Sequence, residues 1–185
     1  MNYITKCFKH LKLVCRHKYY VFLASIECGI PIRGFFHDMS KFSPIEFFNS
    51  AKYYTGDRSP IDNEKDDKGY SYAWLHHRGH NPHHWEYWID NLSDGGKPLR
   101  IPVKYVKEMV CDWIGSGKAY NGKEWTRSVP YQYFIKQYNS GKIRMNYDTY
   151  KLIKKILYMY KQGYSLSELF ARYTTTDGEY LYIPG

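Results

Sequence analysis

The chain has 185 residues, 43% of them hydrophobic and 24% charged, which provides for one core, leaves little room for a second domain and excludes a wholly disordered chain. Its 27 Lys and Arg against 18 Asp and Glu leave a net +9, which points to anionic partners: nucleotides, phosphorylated metabolites or nucleic acid. Aromatic residues reach 19%, with 21 Tyr, enough to fill an aromatic core or to stack on bases.

Residues 3–28 read as one long helix with apolar positions at Ile4, Cys7, Phe8, Leu11, Val14, Cys15, Phe22 and Ile26, stopped by Gly29 and Pro31. Glu27 and Pro31 interrupt the most apolar stretch before it reaches the length of a membrane span, so no membrane partner is expected. The basic lead-in before residues 19–26 imitates a secretory signal, but no small-x-small cleavage site follows. Cys7, Cys15, Cys28 and Cys111 lack paired spacing and read as buried thiols of a reducing compartment, so the expected location is cytoplasmic.

A short helical piece over 33–40 comes next. Ser43-Pro44-Ile45-Glu46 then reads as a capping box with proline at the first helical position, opening a helix to about residue 54. Residues 55–69, with Ile61 as the one apolar side chain, read as an exposed loop. Helical stretches follow over 70–77 and from Asn81-Pro82 through Trp88, and 91–97 reads as a loop. Pro102 begins a helix whose apolar face runs through Val103, Val106, Met109, Val110, Trp113 and Ile114, with Asp112 on its flank. Residues 129–139 and 148–162 read as two further helices, and Ser165 to Glu168 as another capping box before a loose tail at about 171–185. The expected class is all-α in a single domain, with a core over about 3–162 and any strand confined to short pieces near the tail.

Five of eight histidines fall between His76 and His84, a density unusual for packing alone. Imidazole suits Zn, Fe, Mn, Co and Ni, and added carboxylates move the preference toward harder, six-coordinate ions, with Mg at the limit. His37-Asp38 supplies a carboxylate, and His17 and Asp112 are further isolated candidates. Gly115-Ser116-Gly117-Lys118 imitates part of a phosphate loop but ends a helix instead of following a strand, so an NTPase is excluded.

The order His17, His37-Asp38, the 76–84 cluster and Asp112, with Lys41 three residues after Asp38, resembles the HD-domain superfamily of metal-dependent phosphohydrolases, an all-helical bundle. The branch that hydrolyses cyclic dinucleotides is similar too, although its Gly-Tyr-Pro signature is absent. Arg16-His17-Lys18, the 37–43 segment His-Asp-Met-Ser-Lys-Phe-Ser, the 81–85 segment Asn-Pro-His-His-Trp and Asp112-Trp113-Ile114-Gly115 more closely resemble an uncharacterised family of bacterial and phage proteins, over about residues 10–120. That closer resemblance implies no activity.

The HD resemblance implies that His17, His37, Asp38 and Asp112 hold one divalent ion, and that Asp38 bridges to a second held by His77 and either His83 or His84. Taking His84 as the ligand leaves His83, with His76 and His80, as hydrogen bonder or general acid. Two such ions share a hydroxide, make it nucleophilic and clamp phosphate oxygens. Lys41 would neutralise charge on the phosphate or leaving oxygen. Arg16, Lys41, Arg78, Lys118 and Trp85 are the candidates for binding substrate. The implied function is hydrolysis of a phosphomonoester or phosphodiester, a nucleotide or cyclic nucleotide. The alternatives are a di-iron oxygenase of the same ligand order, and a non-catalytic protein that binds a nucleotide or nucleic acid.

Overall fold

The computed structural model describes residues 1–90 and 95–173. Its elements in order are α1 (Tyr3–Glu27), α2 (Pro31–Phe36), a 3-10 turn (Met39–Phe42), α3 (Pro44–Lys52), α4 (Pro60–Lys68), α5 (Tyr72–His80), a second 3-10 turn (Trp85–Trp88), β1 (Ile89–Asp90), β2 (Lys97–Pro98), α6 (Val103–Asn121), a third 3-10 turn (Gly122–Glu124), α7 (Val129–Asn139), α8 (Tyr147–Lys161) and α9 (Leu166–Arg172). The protein is all-α, and among the described residues the one sheet is a two-residue antiparallel pair, Ile89 against Pro98 and Asp90 against Lys97. That pair flanks the expected 91–97 loop. It lies in the middle of the chain and not near the tail, the expected place for any strand; residues 91–94, and the 174–185 part of that tail, lie outside the described residues.

The core forms where α1 and α6 meet α7, α8 and α9, around Val21, Val110, Ile114, Phe134, Ile153, Leu157, Leu166 and Phe170. The closest pairing is α1 against α6. It depends on Gly115, where an added Cβ would stand 2.4 Å from Val21 Cγ2 and 2.9 Å from the Val21 backbone nitrogen. This approach sets the facing of α1. Its inner face carries His10, Val14, His17, Val21, Ala24 and Ser25, whereas Ile4, Phe8, Leu11 and Ile26, which the apolar spacing suggested as core, point outward. Cys28 and Cys111 are buried, but Cys7 is half-buried and Cys15 exposed, since both fall away from the inner face.

Three other expectations are corrected. The helical piece over 33–40 is broken at His37 and Asp38, where Asp38 adopts a left-handed backbone with φ 53°. The loop expected over 55–69 contains α4. Pro60 in its first turn, Lys65 and Lys68 in its last and Gly69 at φ 79° are ordinary helix signals, but no apolar stripe accompanies them. The helix is docked instead through buried Glu64, which accepts hydrogen bonds from Ser71 Oγ at 2.6 Å and Lys68 Nζ at 3.1 Å. Finally, Asn81 ends α5 instead of opening a helix. Its side-chain amide donates to the His77 carbonyl and to Ser40 Oγ, and the chain passes through a turn before the short 3-10 segment. α5 therefore continues through Gly79 to His80.

Candidate metal centre

Five short stretches converge beside the middle of the α1–α6 pair. α1 presents His17, the break after α2 presents His37 and Asp38, α5 presents His77, the following turn presents His83 and His84, and α6 presents Asp112. The left-handed kink at Asp38 lets consecutive residues aim into the same space. An Asp tolerates that conformation because its side chain is short and polar. His17, His37, Asp38, His77, His83 and Asp112 are all buried, and His84 is half-buried.

Two sets of donors form around Asp38. In the first, His17 Nε2 lies 3.6 Å from Asp38 Oδ2 and 3.2 Å from Asp112 Oδ1; His37 Nε2 lies 3.2 and 3.5 Å from the same oxygens; and the two Nε2 atoms are 3.4 Å apart. Ligands each about 2.1 Å from one ion stand about 3.0 Å apart in octahedral and about 3.4 Å apart in tetrahedral geometry. The observed spacings, 3.2–3.6 Å, lie close enough to these values for the four side chains to reach one ion. In the second set, the other carboxylate oxygen, Asp38 Oδ1, lies 3.3 Å from His77 Nε2 and 3.4 Å from His83 Nε2, with His84 completing the group. Asp38 thus offers one oxygen to each set.

The polar atoms aimed inward are left over by the protein itself. Asp38 Oδ1 and the Nε2 atoms of His83 and His84 are buried without a hydrogen-bond partner. Such atoms are costly unless a ligand satisfies them. These buried His, Asp and Glu groups are therefore able to hold a metal ion.

Two carboxylates orient the imidazoles from outside. Glu108, one turn before Asp112 on α6, lies 3.0 Å from His37 Nδ1 and 3.2 Å from His83 Nδ1, and it pairs with Arg33 at 2.9 Å. Glu46 accepts from His77 Nδ1 and His76 Nδ1, both at 2.7 Å. Holding the outer nitrogen selects the tautomer whose Nε2 is free to ligate. Ser116 Oγ does the same from 3.3 Å at His17 Nδ1.

The electrostatics favour a cation. Burial by itself raises carboxyl pKa values, yet hydrogen bonds from His37 and His83 hold Glu108 at about 2. His17 and His37 likewise hold Asp112 well below the usual range despite its burial. Asp38 is also held well below, against its desolvation, by the charges of His37, Lys41 and His77. Desolvation would lower His37, but Asp38, Asp112 and Glu108 together lift it well above its usual value. Burial and the neighbouring His83 and His77 hold His84 well below, so it stays a neutral donor. The field that puts a proton on His37 is one that would hold an ion in its place.

Lys41 Nζ stands 2.6 Å from Asp38 Oδ2, with about a quarter of its side chain exposed, so it joins the buried carboxylate to solvent. His76 is held by Glu46 and stacks on His80 at 4.0 Å, a pairing that the unbroken α5 permits. Of the residues considered for substrate, Arg16 donates to the Ala119 carbonyl, Lys118 lies 4.7 Å above the Trp125 ring and Trp85 packs on the core. Arg78 is half-buried on α5, where its charge acts on Glu86. None of these four belongs to the donor sets. An open groove of about 580 Å³ reaches Glu108 and Arg33, between Ile32, Phe36, His80 and Pro82.

Sequence reasoning missed Glu108, Glu46 and Ser116. Glu108 and Asp112, four residues apart on one helix, had a readable spacing. Glu46 was hidden because it also fits the fourth position of a capping box. Ser43 does cap the Glu46 amide, but the Glu46 side chain turns inward to the histidines.

The fold and this cluster define an all-α protein with a buried histidine–carboxylate centre able to hold metal. The chain belongs to the family of unknown function DUF5662, whose model matches residues 6–159, from α1 to the last turn of α8, and so contains every residue of the centre. No curated protein and no solved structure matches the chain.

Proposed function

We propose that this protein is a metal-dependent phosphohydrolase, acting on the phosphate ester of a nucleotide or cyclic nucleotide. The observation that carries the reading is Asp38, whose two oxygens face two separate sets of imidazole and carboxylate donors. His17, His37, Asp38 and Asp112 would hold one divalent ion, and Asp38, His77, His83 and His84 a second. Bound there, the ions would make a water nucleophilic at neutral pH and draw off charge from the phosphate oxygens.

The protein's own groups do the rest. Lys41, raised above its ordinary pKa against burial by Asp38 and Asp112, keeps its proton and binds a phosphate oxygen at the solvent side. The +9 charge draws an anionic substrate toward the site.

The test is the metal content of protein purified without chelators after growth with manganese and iron, followed by a phosphatase and phosphodiesterase screen. One or two equivalents of transition metal, absent together with activity from the His37→Ala/Asp38→Ala variant, is the expected result. Glu108→Gln keeps every ligand and should weaken the metal about 10- to 100-fold. An active double variant, or a protein that takes up no ion on titration, overturns the reading.

A further inference from the structure

The apolar residues on the outside of α1 are too regular to be incidental. Ile4, Phe8, Leu11, Cys15, Tyr19, Phe22 and Ile26 fall within an arc of about 80° and along about 33 Å of helix, away from the face that carries His10, His17 and Val21. Ile4 is 68% exposed, Phe8 70% and Ile26 53%. The stripe continues sideways, because Phe22 meets Phe35 edge-on at 6.4 Å and Phe35 meets Phe36 at 5.1 Å. On α2 and the turn after it Ile32, Phe35, Phe36 and Met39 are exposed as well. Exposed aromatics of this size contribute on the order of 100 Å² each, and apolar patches beyond a few hundred Å² mark a contact surface.

Charge selects what covers it. Residues 1–26 contain Lys6, Lys9, Lys12, Arg16 and Lys18 and no Asp or Glu. Lys12 and Arg16 border one edge of the stripe and Lys18 the other, where its ammonium lies 5.9 Å from the Phe42 ring. Two copies meeting through this face would set cation against cation. Single-stranded nucleic acid would find the cations and rings such as Phe8 and Tyr19, but Ile4, Leu11, Ile26 and Ile32, interleaved with those rings, are aliphatic surface that bases do not stack on and hydrocarbon does cover. A helix with aliphatic and aromatic side chains on one face and lysines at its margins is suited to the interface of a bilayer. We propose that the outer faces of α1 and α2 dock on an anionic lipid surface, with His17 on the inner face of α1 and the groove walled by Ile32 and Phe36 at the margin of the contact. Among the described residues no helix is long and apolar enough to cross a membrane, so the association is surface contact alone.

The experiment is co-sedimentation of the full chain with phosphatidylcholine vesicles, with and without phosphatidylglycerol, beside sedimentation of the lipid-free protein. The expected result is binding at least about tenfold stronger to the anionic vesicles, weakened at about 0.5 M salt. Phe8→Ser/Ile26→Ser and, separately, Lys9→Glu/Lys12→Glu should each abolish it while leaving helicity and metal content unchanged. Absence of anionic-lipid binding overturns the proposal. So does a lipid-free dimer that Phe8→Ser/Ile26→Ser dissociates, or single-stranded DNA binding lost in that same variant without any lipid binding.

Discussion

Two turns upstream of His17, His10 lies on the same inner face of α1, but its neighbours are the rings of Phe47 and Tyr54, at 5.4 and 6.0 Å, in place of carboxylates. Desolvation, and then the charge of Lys41, lower its pKa from 6.5 to about 4, and its Nδ1 has no partner. Between those values the unfolded chain binds the proton that the folded one refuses, so this contribution is complete above pH 6.5 and is lost as the pH falls toward 4. His10→Leu should reduce the loss of stability between pH 7 and pH 5 by about 2 kcal/mol, measured by urea unfolding at both. An unchanged difference would show that His10 is solvated. The contrast between His10 and His17 also marks what was legible at this scale. The site histidines and aspartates stood out through the density at 76–84 and the order of the segments along the chain, whereas His10, equally inward, belonged to neither. Glu108 and Glu46 did not stand out, because a glutamate on an amphipathic helix has the pattern of a solvated one.

α1 and α6 supply His17, Glu108, Asp112 and Ser116, and their approach at Gly115 sets the distance between those side chains. Gly115→Ala would gain about 1 kcal/mol of helix propensity. It would also drive a methyl group into Val21 Cγ2 and the Val21 backbone, and overpacking of that kind costs about 1–3 kcal/mol. The clash should win, with a lower melting temperature and weaker metal retention than wild type; an equally stable variant with full metal would place the helices further apart than described. Helices with an apolar stripe and a cap, such as α8 and α9, were readable within a residue or two, while α6 runs past the expected end at 115–118 to Asn121. α4 was not readable, since it is anchored by Glu64 and has no stripe. On α1 the helix was readable but its facing was not: periodicity marks an apolar face, and only the packing against Gly115 decides which face is turned inward.

For the molecule as a whole, the centre gathers Asp38, Glu46, Glu108 and Asp112 in a buried region with Lys41 and Arg33 as the side-chain cations paired to them. Ions that bind the folded state alone stabilise it, by about 2.7 kcal/mol at a hundredfold excess over Kd. For a chain of this length that corresponds to a rise of about 5–10 °C in Tm. Manganese or zinc should produce such a rise, EDTA should reverse it, and His37→Ala/Asp38→Ala should respond to neither; an EDTA-insensitive wild type would mean that no ion is held. The all-α class and the order of the ligand segments could be read along the chain. The bridging place of Asp38 was implied by the HD resemblance; what could not be read was the backbone that allows it, because 33–40 has the pattern of a continuous helix and the left-handed turn sits at a single residue.

The sharing of Asp38 between two sets has a temporal side. Asp38, His77, His83 and His84 all leave the ribosome within one stretch of α-helical hairpins, whereas the set containing His17 waits for Asp112 on α6. The donors of one set are therefore all synthesised before the last donor of the other, and they already include the carboxylate that both share, but Glu108, which orients His83, comes only with α6.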